Sequence, residues 1–225
     1  MADDVHPFTG VRIETEIGHY DILARVAGVF GIRKMTIADV EPVSAAMARA
    51  FFDDPLQVWA LPDPATRLGQ LERMFALQAR FMSVPLGESF TDSTRSCAAY
   101  WAPPDRHEPD EAAVAQMTPL GEIVGPDGLV RLQAAFAALR AAIPAERHFY
   151  LQGLGTDPPR QGEGLGSAAM QPVLERCDRE SIPAYLESTK ERNVPFYERH
   201  GFVVTGTIVP APDGPTLWRM WRDPR

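Results

Sequence analysis

Three glycines at alternate positions, Gly162, Gly164 and Gly166, stand in the run Arg160 to Ser167 (RQGEGLGS). Glycine has no side chain to cover the backbone, so N–H groups in such a run stay open to a ligand. Where a strand turns into a helix, those amides add to the positive end of the helix dipole and can hold phosphate oxygens. Two other phosphate loops are excluded by residue type. A dinucleotide fingerprint needs glycine at the sixth place of G-x-G-x-x-G, where Ser167 stands, and a nucleotide P-loop needs a lysine that is absent here. A glycine-rich turn that only packs a helix onto a sheet remains the plain alternative.

The neighbouring elements would position this loop. His148 to Thr156 (HFYLQGLGT) reads as a central strand, and an apolar helix follows from about Gly166 to Arg179. Ile182 to Thr189 (IPAYLEST) is another strand. Asn193 can cap a short helix with Pro195 in its first turn, and Gly201 can end that helix in the left-handed conformation. Val203, Val204 and a strand Leu217 to Trp221, joined through Pro212, Asp213 and Gly214, complete the sheet.

Upstream, Arg33 to Ile37 suits a first strand. Val40, Val43, Met47, Ala50 and Phe51 then fall on one face of a helix, with Asp39 at its start and Asp53, Asp54 and Pro55 ending it. A second helix, from about Ala65 to Met82, would bury Leu68, Leu71, Phe75 and Met82. Ser89 to Thr94 and Cys97 to Ala102 read as a hairpin. Residues 103–128 are loop-rich, with one helical turn near Glu111 to Met117, and Leu129, Leu132, Phe136 and Leu139 mark a third amphipathic helix closed by Pro144. Residues 1–31 carry only a weak alternation (Val11, Ile13, Thr15, Ile17) and are expected to be a poorly integrated extension, leaving 32–225 as a single domain.

Composition narrows the function. The chain has 225 residues, 45% hydrophobic and 23% charged, which suits a globular domain with a full core. The formal net charge of −8 argues against a general nucleic-acid binder. The longest run without a charged residue, His200 to Pro212, is too short and too broken by glycine and proline to span a membrane. Met1 to Phe8 hold Asp3 and Asp4 and no apolar core, so no secretory signal is expected. Cys97 and Cys177 lie far apart with no CxxC pair or flanking histidine, which points away from zinc and toward a reducing cytoplasm.

Two motifs in order then carry a resemblance. Gln161-x-x-Gly164-x-Gly166 and Asn193-x-x-Phe196-Tyr197-x-x-x-Gly201-Phe202 match the GNAT superfamily of N-acetyltransferases in residues and in separation. More closely, GLGSAAMQP, PAYLEST and RNVPFYERHGF resemble the puromycin N-acetyltransferase group. The resemblance covers about residues 148–204. It implies an α/β fold with a mixed, mostly antiparallel sheet, helices on both faces and a splayed strand pair. It also implies acetyl-CoA as co-substrate, no metal, a small-molecule primary amine as acceptor, and a fold that commonly pairs as a homodimer.

Residue by residue, the resemblance implies that Gln161, Gly162, Glu163, Gly164, Leu165, Gly166 and Ser167 surround the pyrophosphate. Glu163 departs from the lysine or arginine common among relatives. Leu154, Gly155 and Thr156 would lie along the pantetheine arm, with Gly153 and Gly155 suiting a bulge or relieving crowding against the following helix. Asn193 would bond the arm or serve only as a helix cap. Tyr197 would protonate the leaving thiolate, the alternative being a core tyrosine.

The base is less legible. Many relatives carry a carboxylate on the strand before the loop, where this chain has Gln152. Glu187 is the best remaining residue, with Tyr150 and His148 behind it, although Glu187 also suits a structural role. Phe51, Phe52, Asp53, Asp54, Trp59, Tyr100 and Trp101 are expected to line the acceptor cleft. Two other readings stay open: a non-catalytic acyl-CoA-binding sensor, motivated by Gln152, and an acetyltransferase acting on protein amines.

Overall fold

The computed structural model describes residues 30–107 and 111–225. The readings placed on residues 1–29 lie outside the described residues. In chain order the elements are β1 (Arg33–Lys34), a 3-10 turn (Ile37–Asp39), α1 (Val40–Ala50), α2 (Pro55–Ala60) and α3 (Pro64–Gln78), which continues into a π-helical turn (Ala79–Ser83). Then come β2 (Phe90–Thr91), β3 (Cys97–Ala102), α4 (Glu111–Gln116), α5 (Leu120–Ala142) and β4 (Phe149–Thr156). The last part holds α6 (Leu165–Glu180), β5 (Ala184–Ser188), α7 (Val194–Glu198), β6 (Val203–Ile208) and β7 (Leu217–Arg222).

The strands form one seven-stranded sheet in the order β1-β2-β3-β4-β5-β7-β6. Every neighbouring pair is antiparallel except β4 with β5. This is the mixed, mostly antiparallel α/β sheet expected from the sequence. The parallel pair is short: Phe149, Tyr150 and Leu151 face Ala184, Tyr185 and Leu186, and pairing stops there. Beyond Leu151, β4 continues to Thr156 bonded only to β3, so its edge toward β5 is open.

Strand alternation sorts the side chains into two layers. Cys97, Ala99, Trp101, Phe149, Leu151 and Leu186 pack with α6 residues such as Leu165, Met170 and Val173. Ala98 and Tyr100 face the other layer, built on Val43 and Met47 of α1, Leu71 and Phe75 of α3 and Leu132 of α5. Tyr150, Tyr185 and Ala102 continue that second face. Each such apolar side chain, when fully buried, stabilises the fold by ~1.5–3 kcal/mol.

Several local expectations are corrected. Asp53, Asp54 and Pro55 do end α1, but Asp54 also starts α2: its carboxylate accepts from the amides of Leu56 and Gln57, and Pro55 takes the first helical position. The third helix begins at Leu120, nine residues before the expected start, and bends at Gly125 (φ 73°) with Pro126 restarting it. Phe136 and Leu68 face outward, 50% and 37% exposed, because the apolar stripes of α5 and α3 are rotated toward Leu132 and Leu71. Asp39 makes no capping bond to α1. Its carboxylate is held by Arg33, Arg95 and Thr36, which keeps it far below the usual carboxylate range.

Candidate active site

The glycine run lies where the sequence placed it, between β4 and α6. Gly162 (φ 84°) and Gly164 (φ 93°) both take the left-handed backbone that favours glycine. No atom lies within 4 Å of where a Cβ would stand on Gly162, and only Phe30 comes near the one on Gly164. The first helical bond of α6 runs from the amide of Ala168 to the carbonyl of Gly164 at 3.0 Å. The amides of Leu165, Gly166 and Ser167 therefore have no partner within the helix. A bare, left-handed bend ahead of a sixteen-residue helix fits a diphosphate in shape and in charge.

The side chains around the bend explain two motif positions. Gln161 donates from Nε2 to the carbonyl of Thr156 at 3.0 Å, tying the loop to the end of β4. Glu163 is neutralised by Arg160, whose Nε lies 2.9 and 2.8 Å from its two carboxylate oxygens. The acidic departure thus adds little net negative charge at the loop. Ser167 Oγ lies 2.9 Å from His200 Nε2. Nothing in the spacing of His200 predicts that contact, which arises because Gly201 turns the chain back at the end of α7.

The open edge of β4 runs from this loop to the point where β4 and β5 part. Leu154 packs toward α6, and a Cβ on Gly166 would lie 3.5 Å from Phe196, 3.7 Å from Thr156 Oγ1 and 3.9 Å from Leu154. The end of β4, the start of α6 and α7 thus converge on one spot. The β-bulge in β4 falls at Gln152, between Leu151 and Gly153, and neither expected glycine is the bulged residue. Gly155 answers to crowding, but against α1 and not against the following helix. A Cβ there would stand 2.7 Å from Met47 Sδ and 3.0 Å from Phe51.

Tyr197 is 8% exposed on α7, in ring contact with Phe196 and Phe202. Its hydroxyl makes no hydrogen bond among the described residues. Burial and the nearby Asp54 carboxylate push its pKa up, so the phenol stays protonated. Asn193 makes no capping bond to α7, so its side chain is not spent on the helix. Asp54 is itself buried, and its carboxyl is pushed up by desolvation while the Thr189 hydroxyl donates to it. Beside it, Asp53 pairs with Lys190 at 2.6 Å and Arg192 at 3.1 Å. These bonds fasten the α1–α2 corner to the end of β5.

Glu187 sits one residue past the last β4–β5 pair. The Tyr150 hydroxyl donates to its Oε2 at 2.7 Å, and its Oε1 is buried without a partner. Burial pushes its carboxyl up to about 7, with Tyr150 first and then Tyr185 and Arg219 acting the other way. That value suits a group that exchanges a proton at neutral pH. His148 lies off this seam: it is fully buried, its Nδ1 lies 2.5 Å from the carbonyl of Glu146, and burial holds its pKa down at about 4. Trp101 is also removed from the acceptor side, since it packs in the α6 layer. Tyr100, Phe51 and Trp59 pack in the α1 layer, Tyr100 fully buried there. Among the described residues no group of side chains could hold a metal ion.

The chain is similar to known proteins. Residues 71–202 match the family model described as the acetyltransferase (GNAT) family. An uncharacterized N-acetyltransferase of Schizosaccharomyces pombe is 36% identical over 63 residues, which is 28% of this chain and 26% of that protein. The chain thus matches about a quarter of the length of that curated relative. A crystal structure of histone acetyltransferase HPA2 and related acetyltransferase from Corynebacterium glutamicum is 27% identical, with a TM-score of 0.65 over 87% of this chain and 96% of that one. Arylalkylamine N-acetyltransferase 2 from Aedes aegypti, 11% identical, shares the fold at a TM-score of 0.56 over 86% of this chain and 98% of its own. With more than half its length matched by the family model, and with the glycine bend and parted strands in place, the chain belongs to the GNAT acetyltransferase family.

Proposed function

We propose that this protein transfers an acetyl group from acetyl-CoA to the primary amine of a small molecule by direct attack. The observation that carries the reading is Glu187: a buried carboxylate with a pKa near 7, placed at the vertex where β4 and β5 separate. A non-catalytic sensor has no need for such a group. The absence of a carboxylate at Gln152 is offset by one on the adjacent strand.

Bound acetyl-CoA supplies an activated acyl thioester. The amides of Leu165, Gly166 and Ser167 and the glycine bend hold the diphosphate, with Gln161 fixing the loop to β4. The open edge of β4 at Leu154, Gly155 and Thr156 aligns the pantetheine arm, with Asn193 within the same convergence. Glu187 takes the proton from the amine nitrogen. Tyr197, a phenol held in its protonated form, donates to the departing thiolate. General acid and base help of this kind is typically worth ~10²–10⁴ in rate for each group.

A small amine is favoured because the partly buried Phe51 and Trp59 and the Tyr150 beside Glu187 lie on the carboxylate side of the sheet. The test is acetyl-CoA titration followed by thiol release over a panel of amines: aminonucleosides including puromycin, arylalkylamines, polyamines and peptides. Turnover of a small amine supports the reading. Acetyl-CoA binding with no turnover of any amine would favour the sensor, and turnover of peptides alone would favour a protein acceptor.

A further inference from the structure

The end of α1 is tied to both of the parted strands. On the β4 side, Arg49 clasps Asp157, the residue after the strand, with Nε 2.9 Å from Oδ1 and Nη2 2.6 Å from Oδ2. Met47, Ala50 and Phe51 crowd the place where Gly155 lacks a Cβ. On the β5 side, Thr189, the residue after that strand, donates to the buried carboxylate of Asp54, and Asp53 pairs with Lys190 and Arg192. Residues 49–54 therefore bridge the mouth of the gap, whereas β4 and β5 pair with each other only as far as Leu151 and Leu186.

Both ends of this bridge are anchored and its middle is stiff. The Asp157 amide donates to the Ser96 carbonyl at 2.8 Å, and the Asp54 carboxylate also accepts from the amides of Leu56 and Gln57. Arg67 is buried and donates to the carbonyls of Leu61, Phe52 and Pro62 at 2.6, 3.3 and 2.7 Å, which locks the corner. The open edge of β4 carries backbone groups that β5 would satisfy if the strands closed up. One extended chain lying between two strands needs them about twice the ladder spacing apart, ~10 Å. A helix end with its side chains spans that width.

We propose that the end of α1 is a strut that holds the mouth between β4 and β5 open, with Arg49 and Asp54 as positioning residues for the pantetheine arm of the coenzyme. This deepens the acetyl-CoA reading above and rests on it. A strut works only while both of its ends are attached. Releasing either end should therefore cost as much as releasing both.

The test is equilibrium titration of acetyl-CoA, with thermal melts to show that each variant is folded. Arg49→Met and Asp157→Ala cut the same leg with opposite changes of charge, so either carries the test if the other fails to fold. Thr189→Val, or Asp53→Ala in its place, cuts the other leg. Each should weaken binding by about threefold to tenfold, the scale of a lost charge-assisted bond. Arg49→Met combined with Thr189→Val should weaken it no further than either alone. A direct effect of charge on the anionic coenzyme would instead make Asp157→Ala bind more tightly. The gap itself is read without coenzyme, from spin labels on cysteines placed at the exposed Pro159 and Glu191, just beyond each anchor; the native Cys97 and Cys177 are buried. The distance between labels should be narrowly distributed in the unaltered protein and broader in each variant. Unchanged affinity, additive losses, tighter binding by Asp157→Ala, or distances unchanged in the variants overturn the strut and leave the acetyltransferase reading intact. No acetyl-CoA binding by the unaltered protein overturns both.

Discussion

Tyr150 and Glu187 meet across the seam of β4 and β5, the phenol donating to Oε2 at 2.7 Å beside the last paired position of the two strands. The bond fixes one carboxylate oxygen, and the other is buried. It also favours the ionised carboxylate, against the burial that pushes the group up to about 7.

As the proposed base, Glu187 would act only when deprotonated, so the rate should rise with pH through about 7. Glu187→Gln should remove that limb and lower kcat by ~10²–10⁴ at neutral pH. Initial rates of thiol release from acid to alkaline pH check this. An unaltered limb in the variant takes the base role away from Glu187.

Tyr150→Phe deletes the donor that lowers the carboxyl's pKa. The ascending limb should therefore move to higher pH, with activity recovered in alkali. A limb that stays in place, or moves toward acid, contradicts the assigned direction.

The same residue links stability to pH. A carboxyl whose pKa is near 7 when folded and ordinary when unfolded binds its proton more tightly in the folded state. Its favourable contribution is complete at acid pH, below the unfolded value, and is lost as pH rises through about 7. Glu187→Gln should consequently gain stability relative to the unaltered protein between pH 5 and pH 8, by roughly 3 kcal/mol at most. Paired thermal melts at the two pH values test it, and a difference that shrinks toward alkali is the opposing result.

Tyr197→Phe removes the proposed proton donor and keeps the aromatic packing against Phe196 and Phe202. Turnover should fall by about tenfold or more while acetyl-CoA affinity stays nearly constant. Single-turnover rates alongside equilibrium titration separate the two. Equal rates would leave Tyr197 as a core residue only.

The two kinds of glycine should fail differently. Gly164→Glu puts a charged side chain and a strained left-handed residue at the bend, and acetyl-CoA binding should be abolished. Gly155→Ala drives a methyl into Met47 and Phe51, and should cost ~1–3 kcal/mol of stability through overpacking. Acetyl-CoA titration and denaturant unfolding of both variants decide it, and normal coenzyme affinity in Gly164→Glu removes the phosphate cradle.

The loop Gln161 to Ser167 and the helix Asn193 to Gly201 were legible in sequence because their constraints are local. Bare amides, a left-handed bend and a helix stop depend on residues a few positions apart. The β4 and β5 strands were legible for the same reason, through continuous apolar runs. Sequence spacing also marked Asp54-Pro55 as a boundary, but its double use as stop and start depends on the same two residues serving two helices. The rest was decided by contacts between distant segments. Thirty-seven positions separate Tyr150 from Glu187 in the chain, and only the parallel pairing of β4 and β5 brings them together. Asp54 reaches Thr189 through the packing of the α1–α2 corner on β5. Residue types along the chain determined that a bare, left-handed glycine bend precedes a helix. Burial and strand register, which no local window contains, decided which carboxylate sits at the vertex with its pKa raised.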